Sequence, residues 1–87
     1  MAKVRFTVEC PGAKTVYLVG SFNDWDPTAR RMKRARKGEP EFVAVLDLDP
    51  GCYEFKFIAD GEWLCCPKAR RVGNEFGGEN SMIEVAD

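Results

Sequence analysis

The sequence predicts an all-β domain, a small antiparallel sandwich, on three observations. Glycine and proline punctuate the chain so that no stretch longer than ten residues lacks both. An average helix needs about 11–12 residues and a strand only about 5–6. Val, Ile and Thr total thirteen against four Leu, a bias toward pleated backbone, where β-branched side chains pack well. Apolar and polar residues also alternate at period two, the mark of strands with one face on a core.

Taken in order, Val4, Phe6 and Val8 alternate with Lys3, Arg5, Thr7 and Glu9 until Pro11-Gly12 turns the chain. Val16 and Leu18 alternate with Tyr17 and Val19 before Gly20. The window Thr28 to Lys37 has Met32 as its single large apolar residue. With no apolar face for a helix to bury, it is expected to be a long loop, at most with a short irregular strand. Phe42, Ala44, Leu46 and Leu48 alternate up to Pro50-Gly51. Beyond that turn, Tyr53, Phe55, Phe57 and Ala59 share one face and Glu54, Lys56, Ile58 and Asp60 the other. A short strand is expected to open at Trp63, and a last strand runs through Met82, Ile83, Glu84 and Val85.

A chain of 87 residues buries roughly 60% of its unfolded surface, so residues 1–87 are expected to form one domain with one thin core. Thirteen basic and fourteen acidic side chains leave a net charge of −1, which points to neither nucleic acid nor an anionic membrane. The longest apolar run, Phe42 to Leu46, is far too short to span a bilayer. The opening M-A-K-V-R-F-T-V lacks the apolar stretch of a secretory signal, so a cytoplasmic protein is expected. A complete small protein and a piece of a larger one fit these ends equally well.

The chain has no histidine, which removes the commonest general base, metal ligand and pH switch together. Nothing in the sequence gathers two carboxylates on one cavity, and Ser21 and Ser81 stand in no nucleophile context. No glycine pattern for a nucleotide occurs. The chain is therefore not expected to be an enzyme, and no cofactor is implied. Cys10, Cys52, Cys65 and Cys66 form no C-x-x-C pair, so no metal site is expected. Free thiols are the expected state, although Cys10 and Cys52 each lie beside a Pro-Gly turn. Arg30, Arg31, Lys33, Arg34, Arg36 and Lys37 place six cations in eight positions. Without interleaved aromatics they read as a solvated loop, ahead of contact with an acidic protein surface or a nucleic acid.

Two tryptophans remain, each in or beside a polar turn: Trp25 in S-F-N-D-W-D-P and Trp63 after Asp60-Gly61-Glu62. Either ring can fold back to cap the sandwich, or both can stay outside as apolar surface for a ligand. Flat indoles near Lys56 suit a sugar ring, whose C–H face stacks on an aromatic plane while cations and amides bond its hydroxyls. By analogy with base stacking, each ring supplies about 1–3 kcal/mol. That implies binding in roughly the micromolar-to-millimolar range.

The run V-Y-L-V-G-S-F-N-D-W-D-P (Val16 to Pro27) resembles the signature of family 48 carbohydrate-binding modules. These are the glycogen- and starch-binding domains of the AMP-activated protein kinase beta subunit and of the N-termini of branching enzymes and isoamylases. The stretches Phe42 to Trp63 and Phe76 to Val85 resemble the same family, so the likeness spans nearly the whole chain. It implies an early-set immunoglobulin-like sandwich and a noncatalytic domain that binds α-glucan: glycogen, starch or maltodextrin. The family's two stacking tryptophans match Trp25 and Trp63, its hydrogen-bonding lysine Lys56 and its C-terminal asparagine Asn80. An apolar residue that the kinase-type domains press against the glucan corresponds to Phe76. Gly78 stands where those domains carry a sugar-bonding threonine, and offers only backbone groups. The resemblance also implies a glucan-acting enzyme or kinase-type partner. A regulatory or protein-interaction module of the same fold, or a fragment of a glucan-processing enzyme, is the alternative.

Overall fold

The structure is a computed structural model that describes residues 2–64, 69–73 and 78–86. Strand β1 (Ala2–Glu9) pairs antiparallel with β4 (Glu41–Leu48), which also takes the two-residue β3 (Lys33–Arg34) on its other side. The second sheet runs β2 (Val16–Gly20), β5 (Gly51–Ala59), β8 (Glu79–Val85), β7 (Arg70–Gly73), with β6 (Glu62–Leu64) folded back on β5. Every pairing is antiparallel. Among the described residues the only helical turn is Ser21–Asn23, and no helix is long and apolar enough to cross a membrane. The fold is the all-β, immunoglobulin-like sandwich that the alternation and the resemblance predict.

The two sheets close on one core because each contributes the apolar half of its alternation. Phe6, Val8, Phe42, Ala44 and Leu48 come from the first sheet, and Val16, Leu18, Phe55, Phe57 and Val85 from the second. Phe6 meets Phe55 edge to face, with ring centroids 5.0 Å apart, and Phe55 meets Phe57 at 5.6 Å. Both lie in the range where the edge–face quadrupole attraction adds to burial.

The basic segment is more structured than a solvated loop. Its backbone crosses from one sheet to the other along an open edge of the sandwich. Leu18 N–H donates to the Arg30 carbonyl, and Met32 N–H to the Val16 carbonyl, at 2.8 and 2.7 Å. Two residues on, Lys33 and Arg34 pair with Val43 and Phe42 in the other sheet. The crossing drives Met32 into the core at 2% exposure. Arg34 is held too: its guanidinium donates to the Glu39 and Ala13 carbonyls and lies 5.0 Å from the centroid of Phe42. Arg30 donates to the Val45 carbonyl at 3.0 Å. Two of the six cations thus tie backbone carbonyls.

Candidate functional site

The turn after β2 carries Trp25, and its sequence explains its shape. Gly20 is buried where a Cβ would lie 2.6 Å from the Glu54 carbonyl oxygen and 2.8 Å from the Phe22 ring. Only glycine lets β2 and Phe22 approach so closely. The Phe22 ring packs with Phe6 and Tyr53, at 5.6 and 6.2 Å between centroids, and extends the core at this end. Asn23 closes the turn with both ends of its amide: Oδ1 accepts from Gly20 N–H at 3.1 Å, and Nδ2 donates to the Leu18 carbonyl at 3.2 Å.

Asp24 and Trp25 then take left-handed backbone, with φ of 55° and 59°. Outside glycine this costs roughly 1–2 kcal/mol per residue, and for a bulky residue such as Trp it is rare. Trp25 N–H donates to the Gly20 carbonyl at 3.0 Å, and Asp26 Oδ1 accepts from Thr28 N–H and hydroxyl at 2.9 and 3.0 Å. The fixed bonds of this turn hold Asp24 and Trp25 in that backbone conformation against its strain. Trp25 is half-buried beside the end of β2.

The outer face of the second sheet is read from the strand register, since residues directly opposite share a face. One row runs Arg31, Tyr17, Ile58, Trp63 across four neighbouring segments. The next begins Val19, Lys56. One step beyond the last pair of β5 with β8, Phe55 with Ser81, the same register brings Lys56 alongside Asn80, and Asn80 pairs onward with Val72. A third row is Glu54, Met82, Arg70. Strand spacing sets the rows about 7 Å apart and makes the first about 14 Å long.

Trp63 is 50% exposed on this face, Lys56 is half-buried and Asn80 is buried. Trp63 sits in the middle of β6 and Asn80 inside β8, so neither lies in a turn. Asn80 Nδ2 donates to Glu54 Oε1 at 3.2 Å. Phe76 lies outside the described residues, as do Cys65 and Cys66. Gly78 is exposed at a bend just before β8.

Sequence reasoning missed that the polar side of β2 and β5 is itself covered. Val19 is fully buried and Ile58 is 8% exposed, although neither belongs to the cluster between the sheets. Two branched apolar residues on the polar phase of their strands were the available signal. Alternation already puts Glu54 on the face of Lys56, but Tyr17 and Arg31 join that face only through register.

Asp60 ties the β5–β6 turn to the segment before β2. It takes left-handed backbone (φ 47°) in the β5–β6 turn, and its carboxylate accepts from Thr15 N–H at 2.9 Å and Lys14 N–H at 3.0 Å. The Thr15 hydroxyl adds a longer bond at 3.3 Å. These bonds, the Thr15 N–H first, hold the carboxyl below its ordinary range. Burial, and secondarily the Asp60 charge, push the Cys10 thiol up, away from the reactive thiolate form. Cys10 and Cys52 are free. They sit at opposite ends of the sandwich, by the Glu9–Glu41 and Ala2–Leu48 ends of the β1–β4 pair respectively. Among the described residues no group of three metal-ligating side chains forms.

The family model for the glycogen recognition site of AMP-activated protein kinase matches residues 3–87. The chain belongs to this family. It is 38% identical over 74 residues to the 5'-AMP-activated protein kinase subunit beta-1 of Sus scrofa, covering 85% of this chain and 57% of that one. The Homo sapiens beta-1 subunit is 38% identical over the same length, and the Mus musculus beta-2 subunit 36%, each with 26% of its own length covered. The chain thus spans between about a quarter and just over half of these relatives.

Proposed function

We propose that this domain is a noncatalytic α-glucan-binding module whose ligand lies on the outer face of the second sheet. The observation that carries the reading is Trp63, half exposed in the middle of a strand on the same face as Lys56 and Asn80, in a chain of the glycogen-recognition family. Trp63 and Trp25 stack on pyranose rings, Lys56 donates to hydroxyls, and Asn80 is oriented by Glu54. Phe76 belongs to the same reading as the residue that matches the family's apolar contact. The module holds a larger kinase-type or glucan-acting assembly on glycogen, starch or maltodextrin.

Intrinsic tryptophan fluorescence titrated with maltoheptaose tests this, with cellohexaose as the control. The expected result is a saturable change with the α-linked sugar alone, lost in Trp63→Ala. A flat trace at several millimolar maltoheptaose overturns the reading and leaves the fold as a protein-interaction module.

A further inference from the structure

The first row of the outer face ends on a cation that the glucan reading does not use. Arg31 bridges to Tyr17, Tyr17 stands opposite Ile58, and Ile58 opposite Trp63. Antiparallel register therefore puts Arg31 on the face of Trp63, about 14 Å away across the sheet. Arg31 is exposed, whereas its neighbour Arg30 is committed to the Val45 carbonyl and Arg34 to the Ala13 and Glu39 carbonyls. The rows carry two more cations, Lys56 and Arg70, against one carboxylate, Glu54, which already accepts from Asn80. The next row adds Glu84, opposite Cys52, so the positive excess belongs to these three rows and not to the whole face.

A guanidinium fork matches an oxyanion better than it matches a sugar hydroxyl, because its paired N–H groups meet two oxygens at once. We infer that Arg31 forms an anionic subsite at the rim of the glucan face, and that the module prefers α-glucan carrying phosphate monoesters over the neutral polymer. The glucose ring stacks at Trp63, and an ester two or three sugar units along the chain reaches Arg31. This rests on the glucan reading above, and adds a substrate class to it.

The test compares phosphorylated maltodextrin with the same preparation after phosphatase treatment, on the wild-type chain and on Arg31→Gln and Arg31→Lys, with thermal melts to verify folding. The wild type is expected to bind the phosphorylated sugar about three- to fivefold more tightly at low salt, the range of an exposed charge pair. The preference fades toward 0.5 M salt. Arg31→Gln loses it while keeping affinity for the treated sugar, and Arg31→Lys retains part of it. Equal binding of both sugars by the wild type, or a preference that survives Arg31→Gln, overturns the subsite and leaves glucan binding intact. Binding of neither sugar overturns both readings.

Discussion

Asn80 donates from its amide nitrogen to a carboxylate oxygen of Glu54, 3.2 Å away, across the boundary between β8 and β5. The Asn80 amide is therefore held in one orientation by a carboxylate on the face proposed to bind glucan. Such a bond is worth about 1.5–3 kcal/mol. Glu54→Ala is expected to weaken maltoheptaose binding several-fold, while Glu54→Gln, which keeps an acceptor, recovers most of the affinity. Isothermal titration of both variants measures this. Equal losses would show that charge, and not the bond, matters at this position.

The two tryptophans separate by stability. Trp63 is 50% exposed, so Trp63→Ala should leave the unfolding midpoint nearly unchanged while costing about 1–3 kcal/mol of binding. Trp25 is half-buried on left-handed backbone, so its loss should reduce both. Trp25→Gly should be more stable than Trp25→Ala by about 1 kcal/mol, because glycine takes positive φ without penalty. Urea unfolding of the three variants reads the order directly.

Asp60 is expected to make stability depend on acid. Its folded pKa lies below the usual carboxylate value of about 3.9 because backbone N–H groups of Thr15 and Lys14 bond the ionised form. Its contribution is therefore complete above that value and is lost as pH falls through the lower, folded one. Asp60→Asn keeps a residue tolerant of φ 47° but removes the charge. It should unfold with a flatter dependence below about pH 4 than the wild type. Coincident melting curves across that range would exclude Asp60 as the origin of the dependence.

Met32→Ala tests whether the basic crossing belongs to the core. Met32 is 2% exposed, and truncating a buried Met costs about 2–5 kcal/mol. Met32→Leu, close in volume, should cost less than about 1.5 kcal/mol. A loss under 0.5 kcal/mol in the alanine variant, typical of surface sites, would place this segment outside the cooperative unit.

Much of the fold was legible because strands report themselves locally. Alternation named the inward residues of β1, β4 and β5, and Pro-Gly pairs marked their turns. Strand β7 was not legible, and β3 only as a short irregular strand allowed somewhere within Thr28 to Lys37. Arg70–Gly73 and Lys33–Arg34 are too short and too charged to show a period, and they are strands only because a neighbouring strand supplies their hydrogen bonds. Trp25, Trp63, Lys56 and Asn80 stood out in the sequence by residue type and by resemblance. Tyr17 and Arg31 are ordinary strand and loop residues whose place on that face exists only through pairing across segments.

The sequence by itself determined the class of this protein: all-β, one thin core, no histidine-based chemistry, and a G-S-F-N-D-W turn whose Gly20 and Asn23 admit one local shape. These are properties of single residues and near neighbours, set by backbone sterics and side-chain chemistry. Only the tertiary structure decided that the outward side of β2 and β5 is covered at Val19 and Ile58, that Met32 is core, and that Arg31 shares a row with Trp63. Each depends on register between segments far apart in sequence. A one-residue shift in register would carry every such side chain to the opposite face.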